Sequence, residues 1–155
     1  MVPAPRELRA DDVLYRVLRP DEWIGDRPLP TGFEDTSGYA GQKDTTLSFF
    51  AASRCTPRET LGKLSGNRTA RRICGTGDTS PSPALMYENG YRVAALPACV
   101  VLQVCAHPGN PLRLKPDANG NTVQDNGHVG VHLGDERKAS WATEARILSR
   151  DETLA

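Results

Sequence analysis

Arg16 stands inside an otherwise apolar run, Val-Leu-Tyr-Arg-Val-Leu, that Pro20 brings to an end. A guanidinium on a buried strand costs free energy unless it is paired or reaches water along its stem. The position is therefore either a structural ion-pair member or a hook for a ligand. Three histidines and four cysteines supply the other candidate chemistry. His128 and His132 share one face of a strand but lie about 13 Å apart along it, too far to hold one metal ion. His-x-x-x-His binds zinc on a helix, and His107 with Cys99 and Cys105 meets no zinc spacing, so no metal is expected. Cys55 precedes a helix start and follows Arg54, where dipole and cation would favour a thiolate nucleophile. Ordinary packing is the simpler reading of that cysteine.

Six cations, Arg54, Arg58, Lys63, Arg68, Arg71 and Arg72, are grouped with a single acid, Glu59. Such a patch can meet phosphate or an acidic partner, but charge runs are commonly just solvated faces. No aromatic residues interleave with it, so a stacking platform for nucleic acid is not expected. The glycine-rich phosphate loops and the nucleophile-elbow motif are absent. The four cysteines form no Cys-x-x-Cys pair and are expected to be reduced and buried.

These side chains need a frame. At 155 residues the chain has the size of one domain, with 38% apolar and 25% charged residues and with 14 Gly and 12 Pro marking many turns. We expect an α+β fold: one compact domain over residues 13–155, a small mixed or antiparallel sheet, two or three helices and long loops, preceded by a loose arm over residues 1–12. Residues 13–18 are apolar on both faces and read as a central strand. Residues 21–43 read as a long loop anchored by Trp23, Phe33 and Tyr39. Residues 45–52 are rich in Thr and Phe and form a second strand.

The strongest local signal is Thr56-Pro57-Arg58-Glu59, a capping box with proline at the first helical position, starting a helix that Gly66 stops. Residues 67–83 read as a loop. Asn89-Gly90 predicts a hairpin turn between residues 85–87 and 91–96. Residues 98–106 lean to helix, 111–115 and 128–133 to strand, 117–121 to a turn, and 138–150 to one amphipathic helix carrying Trp141, Ala145 and Leu148.

The 19 basic and 19 acidic residues cancel, so no global field favours nucleic acid or an anionic membrane. The longest apolar stretch is too short to span a bilayer, and the charged, proline-bearing start argues for a cytoplasmic setting.

Residues 14–22, Leu-Tyr-Arg-Val-Leu-Arg-Pro-Asp-Glu, resemble the first strand of bacterial ADP-ribosyltransferase-like toxin domains. That resemblance implies NAD as cofactor, Arg16 on its phosphates, Ser48 in the nicotinamide pocket and a late glutamate, here Glu144, as the catalytic acid. The family's Glu-x-Glu or Gln-x-Glu context is missing around both Glu136 and Glu144. The wider layout, carried by Tyr15, Arg16, Arg19 to Trp23, Leu47-Ser48, Thr56 to Glu59, Gly90 to Ala94 and Gly127-His128, is similar to small bacterial proteins with no established activity.

The first functional reading is a bacterial cytosolic binding or accessory module without a cofactor. It would meet a protein partner or small molecule through Arg16, Tyr15, Trp23, Phe33, Tyr39 and His128. The alternative is the NAD-using transferase with Ser48 and Glu144. The transferase requires Arg16, Ser48 and a glutamate in one cleft, whereas the binding module predicts Arg16 paired with an acid such as Asp21 or Glu22 and the loop aromatics exposed together.

Overall fold

The structure, a computed structural model, describes residues 4–33, 46–102, 106–107, 110–111, 122–132 and 138–155. It is an α+β fold built on a five-stranded antiparallel sheet. In chain order the strands are β1 (Val13–Leu18), β2 (Thr46–Ala51), β3 (Arg92–Pro97), β4 (His128–His132) and β5 (Arg146–Ile147), arranged β4-β2-β1-β3-β5. The apolar run around Arg16 is the central strand, as its two-sided burial predicts.

Alternation along β1 divides the core in two. Leu14 faces a cluster with Phe33, Phe49, Leu96 and Trp141, closed by helices α4 (Ala98–Leu102) and α5 (Lys138–Glu144) and a 3₁₀ turn at Pro30–Phe33. Val17, with Tyr15 partly buried beside it, faces Leu61, Met86, Tyr91 and Val93 under α1 (Pro57–Leu64), α2 (Arg68–Cys74), α3 (Pro83–Glu88) and α6 (Arg150–Leu154). Burying apolar side chains on both faces is the main driving force for this layered arrangement.

Helix α1 carries the expected capping box, with Thr56 accepting from the Glu59 N–H at 3.1 Å and Glu59 accepting from the Thr56 N–H at 3.1 Å. The expected loop over residues 67–83 instead contains α2, capped by the Asn67 side chain and closed by Gly75 at φ +67. The expected hairpin around Asn89-Gly90 is also replaced: residues 83–88 are helical, because Ser82 caps and Pro83 occupies the first turn, and Asn89 is the C-cap. The closing helix breaks into α5, β5 and α6, with a second capping box at Ser149 and Glu152. The helix expected from residue 98 spans Ala98–Leu102, while residues 112–121, with most of the expected 111–115 strand and the 117–121 turn, lie outside the described residues.

The amino-terminal arm is tied down over its described part. Arg6–Glu7 pairs with Thr122–Val123, Leu8 is buried, and Arg6 forms a two-pronged ion pair with Asp12 at 2.7 and 2.9 Å. Cys99 is disulfide-bonded, which corrects the expectation of four reduced thiols; Cys55 and Cys74 are free.

Candidate functional site

The β1–β2 pair opens into a cleft. β1 is registered with β3 over six positions but with β2 over two only, Leu14 with Ala51 and Tyr15 with Phe50. Beyond Tyr15 the two strands part, and backbone carbonyls there need donors. Arg16 supplies them: Nη1 donates to the Ser48 carbonyl at 3.0 Å and Nε to the Gly32 carbonyl at 2.9 Å. Where the strands separate lies a cleft of about 150 Å³, lined by Arg16, Val17, Arg19, Glu22, Ser48, Phe50, Leu64 and Asn67. Its walls thus come from β1, β2, the turn after β1 and the α1–α2 junction.

Glu22 is buried in the turn after β1 and accepts from the Arg19 N–H at 2.7 Å. The Arg19 guanidinium lies 3.5 Å from the same carboxylate. The two acids named for Arg16, Asp21 and Glu22, stand instead beside Arg19. Asn67 uses Oδ1 to cap Thr69, which leaves its amide N–H groups as donors at the cleft.

Ser48 and His128 meet across β2 and β4. Ser48 Oγ and His128 Nε2 lie 3.0 Å apart. In the register Ser48 stands opposite Gly130 and His128 opposite Phe50, so the contact is diagonal, over a residue with no side chain. The Phe50 ring meets the imidazole edge-on, with centroids 5.6 Å apart. Burial pushes the His128 pKa below its ordinary value and favours the neutral ring.

The remaining sequence candidates lie elsewhere. Phe33 is fully buried and stacks on Phe49 with Trp141 edge-on, so it belongs to the core rather than to a binding surface. Trp23 donates from Nε1 to the Gly90 carbonyl at 2.7 Å, under the Arg92 guanidinium, which also covers Tyr87. Tyr15 faces the second core cluster, and burial raises its pKa. The loop aromatics are therefore not exposed together, and Tyr39 lies outside the described residues. Glu144 is exposed at the end of α5 and is not among the residues that line the cleft; among the described residues the glutamate that does is Glu22, and Glu136 lies outside the described residues.

Cys55 is buried, with Sγ 3.3 Å from Thr60 Oγ1, and burial raises its pKa, opposite to the thiolate that helix dipole and Arg54 would favour. Arg54 is spent on backbone carbonyls of Ala4, Val123 and Gln124, and Arg58 reaches that of Leu154. The apparent basic run is thus divided, with Arg68, Arg71 and Arg72 lining a separate concavity beside Asp78.

Arg16, Ser48 and His128 stand on the strands that the sequence predicts, whereas the meeting of Ser48 with His128 and the presence of Arg19 and Asn67 in one cleft are not legible in it. The polar alternation of β2 and β4 was the available signal; their pairing was not. No helix among the described residues is long and apolar enough to cross a membrane. Comparisons of the chain with protein-family models, curated proteins and solved structures return no match.

Proposed function

We propose that the protein is a binding module whose ligand is a small molecule with a short apolar body and a carboxylic acid or ester group, held in the cleft between β1 and β2. The observation that carries this reading is the composition of that cleft: Val17, Phe50 and Leu64 offer apolar surface, while Arg16, Arg19, Ser48 and Asn67 offer donors beside a Glu22 carboxylate held by Arg19. An apolar lining with a few convergent polar groups is the usual character of a ligand site. At about 150 Å³ the space suits a small ligand. Sites for drug-sized ligands occupy about 300 Å³ or more.

The bacterial origin and cytosolic setting belong to this proposal through the resemblance. The disulfide at Cys99 pulls against a reducing compartment. The NAD-using transferase is the second reading, favoured by Arg16, Ser48 and a glutamate lining one cleft. It is weakened because the glutamate lining the cleft among the described residues is Glu22, already committed to Arg19 and its backbone.

Thermal unfolding with a series of short-chain carboxylates, and separately with NAD, tests the two. A ligand at about one hundred times its Kd adds about 2.7 kcal/mol, a rise of several degrees in Tm for this size. A carboxylate-dependent rise that Arg19→Ala abolishes supports the module. No rise with any carboxylate removes it, and an NAD-dependent rise lost in Ser48→Ala promotes the transferase.

A further inference from the structure

We infer that Ser48 and His128 form a nucleophile–base pair that accepts an acyl group from a small carboxylic ester bound in the cleft. The inference rests on the ligand reading above and extends it from binding to chemistry. A serine hydroxyl becomes a useful nucleophile when a base within hydrogen-bond reach takes its proton. Ser48 Oγ and His128 Nε2 satisfy that geometry at 3.0 Å, on an exposed serine that lines the cleft.

Four features suit the imidazole to the task. Two adjacent strands hold the partners, so the contact is set by sheet register rather than by a loop. Gly130, opposite Ser48, leaves the diagonal between serine and imidazole without a side chain. Phe50 braces the ring edge-on, an orienting role that a hydrogen-bonding third residue fills in familiar triads. The ring's partial burial favours its neutral form, and in the Nδ1–H tautomer Nε2 is the acceptor.

The step balances without any other reactant than water. Ser48 Oγ bonds to the ester carbonyl carbon while its proton passes to His128 Nε2, and the carbonyl oxygen takes up negative charge. Arg16, Arg19 and Asn67 line the same cleft and carry the N–H donors that would meet that charge, Arg19 while also facing Glu22. The tetrahedral intermediate then expels the alcohol, whose oxygen receives the proton from Nε2, leaving acyl-Ser48. Water adds in the same manner, giving its proton to Nε2; collapse releases the carboxylic acid and returns the proton to Ser48.

The test is exposure of the full chain to p-nitrophenyl acetate, followed by intact mass and peptide mapping, in wild type, Ser48→Ala and His128→Gln. The expected result is one acetyl group on Ser48, none in Ser48→Ala, and acylation slowed about 10²-fold or more in folded His128→Gln. Wild type with neither acetyl-Ser48 nor p-nitrophenol release above that of Ser48→Ala, or His128→Gln acylated at the wild-type rate, overturns the inference. Carboxylate binding measured in parallel separates the two claims. Binding without acylation defeats only the nucleophile, acylation without carboxylate binding sustains the nucleophile and defeats the binding module, and neither defeats both.

Discussion

Arg16 Nη1 donates to the main-chain carbonyl of Ser48, so the cation of the central strand closes the gap left where β1 and β2 separate. With Nε on the Gly32 carbonyl, the guanidinium also fastens the 3₁₀ turn to the sheet. Hydrogen bonds from a charged donor contribute about 1.5–3 kcal/mol each, and a stranded buried acceptor adds its own desolvation cost. Arg16→Ala is expected to lose about 2–4 kcal/mol in urea unfolding, with Arg16→Lys recovering only part because an ammonium cannot reproduce the fork. Unchanged stability in Arg16→Ala would contradict this bracing role.

Gly32 is the other half of that brace. A Cβ there would stand 2.6 Å from Leu18 Cδ2 and 3.4 Å from the Glu22 carbonyl, and Leu18 is fully buried. Gly32→Ala must displace either the turn or the Leu18 side chain, at about 1–3 kcal/mol as an overpacking substitution. Denaturant titration that finds Gly32→Ala as stable as wild type would show that the turn relaxes without penalty.

Glu152 carries the pH prediction. The Arg146 guanidinium, at 2.9 Å on both carboxylate oxygens, and the Ser149 N–H hold its pKa at about 2. Because the folded value lies below the ordinary 4.5, its contribution to stability is present above about 4.5 and is lost as pH falls through about 2. Carboxyl-carbon NMR titration should place the Glu152 midpoint near 2 and move it upward in Arg146→Ala. An ordinary midpoint in wild type would remove the pair from the fold in solution.

Thiol reactivity should separate Cys55 and Cys74, the free cysteines among the described residues. Cys55 is buried and Cys74 is half-buried, and burial raises both pKa values. Access then decides the order, so iodoacetamide under native conditions is expected to label Cys74 before Cys55. Faster labelling of Cys55 would revive it as a nucleophile.

What could be read along the chain was what neighbouring residues decide among themselves. The Thr56 capping box is a contact between residues three apart, and it stands as expected. The Ser82-Pro83 start carries the same chemistry, but Asn89-Gly90 suggested a hairpin where the helix C-terminus uses the same turn-forming residues. Segments such as α2 and β5 depend on the partners they pack or pair with, and local pattern reports little of that.

By itself the sequence determined that residues 13–18 form a two-sided, buried strand with a cation inside it, that α1 begins at Thr56, and that the chain has the composition of an α+β domain. Only the tertiary structure decided what Arg16 holds, that Ser48 and His128 meet, and that Phe33 belongs to the core while Glu144 stands apart. The physical reason is sequence distance. Arg16 reaches Ser48, 32 residues away, and Ser48 reaches His128, 80 residues away. Such pairs arise from strand order and register, which the packing of the whole core selects.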